Sequence, residues 1–301
     1  MLIVHNSRIN YAKRIQNAIL PPLKLMKEYL PESFILYKPK DVVAGDLYWM
    51  ESVSFIANKE RVKQSANNEK IASSESLRSY NRNDVILFAA ADCTGHGVPG
   101  AMVSVVCNNA LNRTVREYGL TNPAEILNKT REIVVQEFEK SDDDVKDGMD
   151  IALCSLKFNI SSFKLTGPQT VAMLQYAGAN NPLWIIRPIS KNLEPQTLNF
   201  ELIEIKPNKQ PVGNYFRNEP YTTHEVQIQK GDTMYIFTDG YADQFGGEKG
   251  KKFMYKPFKE LLLSIQNKTM EEQKEILEQY FENWKGSLEQ VDDVCVIGVR
   301  V

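Results

Sequence analysis

Residues 84–100, DVILFAAADCTGHGVPG, decide how this chain is read. Val85 to Ala91 is an unbroken apolar run of β type, short enough for one strand buried on both faces. It ends on Asp92, and a carboxylate at the end of a buried strand is costly unless it is paired or binds a metal. Gly95, Gly97 and Gly100 then let the backbone turn tightly. From Pro99 the spacing predicts a helix to about Tyr118, with Met102, Val105, Val106, Ala110, Leu111 and Val115 along one face.

Working outward, the chain has 301 residues, long for one average domain and short for two, which favours one large domain with insertions. Hydrophobic content of 43% and charged content of 25% are ordinary for a globular protein in water. Lys plus Arg is 36 against 38 for Asp plus Glu, and without a long basic run this gives no argument for nucleic acid. Val85 to Ala91 is also the longest purely apolar stretch, far short of the roughly 20 residues a membrane helix needs. The start, MLIVHNSRIN, lacks a signal-peptide apolar region and cleavage site. Cys93, Cys107, Cys154 and Cys295 are isolated, so a reducing cytoplasm is the expected location.

Residues 6–20 are expected to form a helix with a stripe of Ile9, Ala12, Ile15, Ala18 and Ile19, stopped by Pro21 and Pro22. Such a helix either lies on the domain's own core or links it to another copy or an upstream sensor. Residues 33–55 read as strands around VVAGD. Residues 57–83 are polar and nearly devoid of large apolar groups, the composition of a mobile hairpin insertion. Asn122 as N-cap, Pro123 and Glu125 open a helix to about Phe138, and Ser141 to Asp147 is an acidic loop. Strands are expected at about 149–159, 170–177, 182–187, 199–205, 222–228 and 233–238. Helices follow at 257–266, opened by Pro257, and 270–284, capped by Thr269 with Glu272 in the box position; DVCVIGVRV is a final buried strand. Many strands in two groups with helices between them suggest a layered sandwich.

Asp92 is not alone. Asp46 follows Gly45 in VVAGD, Asp239 ends MYIFT, and Asp292 and Asp293 open the last strand. A single Asp at a strand end is usually a turn residue. Several beside strong strands, with few basic neighbours, point to a hard divalent cation. Carboxylate, carbonyl and water ligands favour Mg²⁺, Mn²⁺ or Ca²⁺, and with only three histidines a histidine-rich zinc site is disfavoured. Two ions held by shared aspartates can activate a bridging water for in-line displacement at phosphorus. His96 reads first as a hydrogen-bonded loop histidine and second as a catalytic one; Thr94 reads as a bond to the turn.

Seven segments, AKRIQNAILPP, YKPKDVVAGDLYWM, ADCTGHGVPGAMVS, DGMDIALC, YAGANNPLW, GDTMYIFTDGYADQFGG and DDVCVIGV, resemble in their order the protein phosphatase 2C superfamily, and within it the bacterial SpoIIE-like branch, over about residues 10–301. The resemblance implies an α+β fold: a four-layer α-β-β-α sandwich of two antiparallel sheets flanked by helices. Residues 1–22 would be a linker or regulatory helix and 23–301 the phosphatase domain, with 57–83 as a polar insertion. It implies a metal-dependent protein serine/threonine phosphatase with two Mn²⁺ or Mg²⁺ ions. Asp92 would bridge both, the Cys93 carbonyl would bind the second, Asp239 and Asp293 would complete the first, and Asp46 would bind the second or orient its waters. Asp147 falls near the place where some relatives hold a third ion, and Asp150 is more often structural. Lys38 and Lys40 stand where eukaryotic-type relatives place a phosphate-gripping Arg; either is a point charge for phosphate or a solvated lysine.

The implied partner is a small regulatory protein phosphorylated on Ser or Thr, often an anti-anti-sigma factor, with an upstream sensor or a second copy engaging the N-terminal helix. Two other readings compete: a degenerate phosphatase-like module that binds a signalling partner, and a hydrolase of nucleotides or small phosphates. No GxxxxGK[ST] loop supports the last.

Overall fold

The computed structural model describes residues 2–54, 84–139, 147–158, 170–189 and 199–301. The expected insertion at 57–83 and residues 141–146 of the acidic loop lie outside them. Helices α1 (Leu2–Ile19) and α2 (Leu23–Tyr29) precede strands β1 (Ser33–Lys38), β2 (Leu47–Ser54) and β3 (Asp84–Cys93). Helices α3 (Gly97–Arg116) and α4 (Pro123–Phe138) lead to β4 (Gly148–Lys157), β5 (Thr170–Ala179), β6 (Leu183–Ile189), β7 (Asn199–Ile205), β8 (Val212–Gly213), β9 (His224–Gln229) and β10 (Thr233–Phe237). The single turn α5 (Gly240–Asp243), short strands β11 (Phe245–Gly246) and β12 (Lys251–Lys252), helices α6 (Tyr255–Ser264) and α7 (Met270–Lys285), and β13 (Val294–Arg300) complete the chain.

Two antiparallel sheets pack face to face, in the orders β1-β13-β10-β6-β7 and β2-β3-β4-β5-β9, with β8 on the start of β4. Strand alternation explains why the first sheet needs covering on both sides. In β13, Cys295, Ile297 and Val299 enter the core between the sheets, whereas Val294 and Val296 face Phe258, Leu262, Leu277 and Phe281 of α6 and α7. Helices α3 and α4 cover the second sheet, and β3 is apolar on both faces because both are buried. The four-layer α-β-β-α sandwich is therefore present. Its helix starts follow the expected chemistry: Asn122 Oδ1 accepts the Ala124 and Glu125 N–H groups at 3.0 and 3.2 Å, and Thr269 with Glu272 forms a reciprocal capping box.

Three expectations need correction. On α3, Met102 is 64% exposed; Val103, Cys107, Ala110 and Leu111 form the buried line, because the helix begins at Gly97 and is turned by its contacts with α4 and β3. On α1, Ile15 and Ala18 face outward, and the buried residue is Gln16, followed just past the helix by Leu20. Burial of Gln16 is possible because backbone groups of Ala44 satisfy its amide. Helix α2 was not expected, since LKLMKEY is too short to show periodicity and its N-cap is Pro22, without a side-chain cap. Among the described residues no helix is long and apolar enough to cross a membrane, and all four cysteines are free and buried.

Candidate active site

The aspartates meet at one end of the sandwich because each lies where a strand enters or leaves that end. Asp46 immediately precedes β2, and Asp92 is the penultimate residue of β3; the register places Leu47 opposite Ala91. Asp150 of β4 stands directly opposite Asp92. From the other sheet, Asp239 follows β10 and Asp293 precedes β13, with Phe237 opposite Val296. Like charges directly opposite across a ladder are unfavourable, so Asp92 beside Asp150 is a feature the fold tolerates rather than one that holds it together.

Hydrogen bonds tie the loops of the two sheets together. Asp293 Oδ2 accepts the Gly45 N–H at 2.6 Å and its Oδ1 accepts the Lys40 N–H at 2.7 Å. Thr238 Oγ1 donates to Asp46 Oδ2 at 2.6 Å, and the Tyr37 hydroxyl donates to the Asp46 carbonyl at 2.9 Å. His96 Nδ1 lies 3.0 Å from Asp41 Oδ2, linking the turn after Asp92 to the loop before Asp46. Backbones approach so closely that a Cβ on Gly45 would lie 2.2 Å from the Gly95 carbonyl oxygen and 2.9 Å from that of Cys93. The Cys93 carbonyl thus points into the loop that carries Asp46. Likewise a Cβ on Gly240 would meet the Asp293 carbonyl oxygen at 1.9 Å.

Electrostatics mark the cluster as built for cations. Asp46 and Asp293 are each 2% exposed. Burial, then the charge of Asp92, holds the Asp46 carboxyl well above its ordinary range, with the Thr238 hydrogen bond acting the other way. Burial and the charges of Asp239, Asp292, Asp150 and Asp293 push Asp92 up to about 8. Burial, then Asp243, Asp292 and Asp150, raises Asp239 to about 6. Burial also raises Asp293 and Asp150. The charges acting most strongly on Asp46 and Asp92 are all acidic, so the donor set of hard oxygens fits Mg²⁺ or Mn²⁺. Among the described residues no group of three or more His, Cys, Asp or Glu side chains is placed to hold a metal ion, so an ion here would rest on fewer side chains together with backbone carbonyl and water.

The family model of Stage II sporulation protein E (SpoIIE) matches residues 82–301, which include Asp92, Asp239 and Asp293. The chain belongs to the SpoIIE family. Among solved structures, the PP2C domain of SiaA from Pseudomonas aeruginosa is 26% identical, with a TM-score of 0.73 over 100% of this chain and 98% of that one. The PP2C phosphatase domain of SpoIIE from Bacillus subtilis, solved with a fragment of its regulatory domain, is 16% identical, with a TM-score of 0.57 over 89% of this chain and 62% of that one. The RsbU and RsbW domains of a Mycobacterium tuberculosis protein are 18% identical, with a TM-score of 0.55 over 90% and 60%. A comparison with curated proteins gives no match. By family and fold, this SpoIIE-family chain is a PP2C-type protein serine/threonine phosphatase.

Within this SpoIIE-family site the structure brings Asp46, Asp92, Asp239, Asp293 and the Cys93 carbonyl to one end of the sandwich, with Asp150 more central than expected. Lys38, expected as a point charge for phosphate or a solvated lysine, has its ammonium paired with Glu278 at 3.3 Å and Glu282 at 2.9 Å on α7. Lys40 serves through its backbone N–H. Thr94 bonds Gly148 of β4 rather than its own turn, donating to the carbonyl and accepting the N–H. Thr238 was missed; its only sequence signal is its place between the apolar strand MYIF and Asp239.

Proposed function

We propose that the chain removes phosphate from serine or threonine of a regulatory protein, using two Mn²⁺ or Mg²⁺ ions held by Asp46, Asp92, Asp239 and Asp293 with the Cys93 carbonyl. The observation that carries this reading is a set of aspartates brought from both sheets to one end of the sandwich, Asp46 and Asp293 buried and Asp92 and Asp239 half-buried. There burial and then neighbouring acidic charges raise the proton affinity of Asp46, Asp92 and Asp239. Divalent ions bound there supply an acidified water for in-line attack and neutralise charge on the phosphate. The chain's own residues hold that arrangement. Asp293 fixes the loop of Lys40 and Gly45 while retaining further acceptor capacity, since a carboxylate offers about four lone-pair sites. Thr238 orients Asp46, and Thr94 locks the turn after Asp92 to β4.

Family membership supports a phosphorylated signalling protein as substrate, with an anti-anti-sigma factor as the specific case. Residues 1–22 are proposed as a regulatory helix ahead of the phosphatase domain of 23–301, with the outward Tyr11, Ile15 and Ala18 meeting a second copy or an upstream sensor. The test is hydrolysis of p-nitrophenyl phosphate, a phosphoserine peptide and a nucleotide panel, with Mn²⁺ and with EDTA. Mn²⁺-dependent turnover of the first two is expected. Protein that binds Mn²⁺ yet hydrolyses nothing would return the binding-module reading, and a preference for nucleotides would return the small-phosphate one.

A further inference from the structure

The loop between β8 and β9 leaves from the edge of the active site. Its root, β8, pairs Gly213 with Gly148 and Val212 with Met149 at the start of β4, and Asp150 follows as the residue opposite Asp92. This root is seated closely: a Cβ on Gly148 would lie 2.5 Å from the Val212 carbonyl oxygen, and one on Gly213 would lie 2.8 Å from that of Asp147. The other end is clamped. Buried Gln210 donates Nε2 to the Glu219 carbonyl at 2.6 Å and accepts the Glu219 N–H at 3.3 Å, while the Tyr221 hydroxyl donates to the Pro211 carbonyl at 2.7 Å. Arg131 of α4 donates to the same Glu219 carbonyl at 2.9 Å and lies over the Tyr221 ring.

Between these clamps the tip is apolar and exposed. The Tyr215 and Phe216 rings lie 4.3 Å apart, the Arg217 guanidinium sits 5.5 Å from the Phe216 ring centre, and Phe216 is 80% exposed. A large ring held in water by a pinned loop contributes little to folding, and aromatic and Arg side chains of this kind are the usual anchors of protein recognition.

We propose that Tyr215, Phe216 and Arg217 dock the segment of the phosphoprotein that flanks the phosphorylated serine or threonine, with an apolar side chain on the two rings and a carboxylate on Arg217. This assignment rests on the phosphatase reading of the neighbouring aspartates. It separates recognition from chemistry: the loop reads the flanking residues, and the aspartates act on the phosphate.

The experiment compares three probes with Mn²⁺ present: a phosphoserine peptide with Leu and Glu flanking the phosphoserine, the same peptide with both changed to Ala, and p-nitrophenyl phosphate. Wild-type protein should favour the Leu/Glu peptide. Phe216→Ala should lower kcat/KM for that peptide by about tenfold, mainly through KM, and leave the other two unchanged. Arg217→Glu should shift preference toward a peptide with Lys in place of Glu. Both residues are exposed, and a thermal melt checks that the variants remain folded. Variants that treat the peptides as the wild type does, or that lose activity equally on all three probes, overturn the docking loop alone. Wild-type protein that hydrolyses none of the three overturns the phosphatase site and the loop with it.

Discussion

Thr238 and Asp46 are joined across the two sheets by a hydrogen bond of 2.6 Å from the threonine hydroxyl to the aspartate. The same hydroxyl oxygen accepts the Cys295 N–H at 2.9 Å, which leaves its proton directed at Asp46. A carboxylate buried among other carboxylates has every reason to take up a proton, and a donated hydrogen bond favours its ionised form instead. One hydroxyl therefore sets the direction of the side chain proposed to serve the second ion and opposes its protonation.

Thr238→Val keeps the shape and removes the donor. Partners of this kind typically account for 10–100-fold in metal affinity or activity, so the variant should need about tenfold more Mn²⁺ for half-maximal turnover. Thr238→Ser should recover most of the loss. A Val variant with the wild-type Mn²⁺ dependence would sink the positioning role.

Asp92→Asn should separate stability from activity. It removes the charge that raises Asp46 and faces Asp150, so the metal-free variant should melt at a higher temperature than the metal-free wild type at pH 8. Turnover should fall by at least about a hundredfold, since an electrostatic contact to the reacting centre is lost. Full activity in this variant and in Asp239→Asn would mean that the ligands are wrongly assigned.

The raised carboxyls give a pH dependence with a definite sign. In metal-free protein Asp92 keeps its proton to about pH 8 and Asp239 to about 6, whereas the unfolded chain releases both near the ordinary aspartate value of 3.8. Above that value the folded state binds more protons than the unfolded one, so stability falls as pH rises and the last of this contribution is lost through pH 8. Metal binding expels those protons, so Mn²⁺ should raise the melting temperature more at pH 8.5 than at pH 6. Calorimetric titrations in buffers of different ionisation enthalpy should report proton release. Equal stabilisation at both pH values, with no buffer effect, would rule out the protonated cluster.

Gly45→Ala tests the close approach of the two loops. Its Cβ would sit 2.2 Å from the Gly95 carbonyl oxygen, backbone that cannot swing aside. Overpacking of this kind costs about 1–3 kcal/mol, and the displaced loop also carries Asp46. Lower stability together with loss of Mn²⁺-dependent turnover is expected. An unchanged melting temperature would show that the loops relax freely.

Much of this was legible in the chain itself, for identifiable reasons. Strands such as β3 and β13 are apolar on both faces and border aspartates, Asp92 near the end of β3 and Asp293 just before β13, so both the sandwich and the acidic cluster announce themselves. The caps at Asn122 and Thr269 read correctly because capping is local chemistry. What stayed hidden depends on contacts between residues far apart in the chain. Thr238 looks like any threonine at a strand end. Lys38 reads as a phosphate ligand or a solvated lysine, and only the fold shows that α7 brings Glu278 and Glu282 to it. The inward face of α1 was misread because its most buried described residue is a glutamine, which hydropathy scores as exposed.

That glutamine carries the last prediction. Gln16, 4% exposed, donates Nε2 to the Ala44 carbonyl at 2.5 Å and accepts the Ala44 N–H at 3.0 Å, and its Nε2 also lies 3.3 Å from Ser104 Oγ on α3. Ala44 is two residues before Asp46, and α3 begins just after the turn that follows Asp92. A displacement of α1 thus reaches both loops proposed to hold the ions through one buried amide, whose groups would be left unsatisfied if the helix moved away. Gln16→Leu preserves bulk and removes the coupling, leaving the Ala44 backbone groups without partners. The Mn²⁺ concentration for half-maximal turnover of p-nitrophenyl phosphate should change severalfold, and deletion of residues 1–20 should change it in the same direction. A Leu variant and a deletion that both match the wild type would leave the helix without a regulatory role.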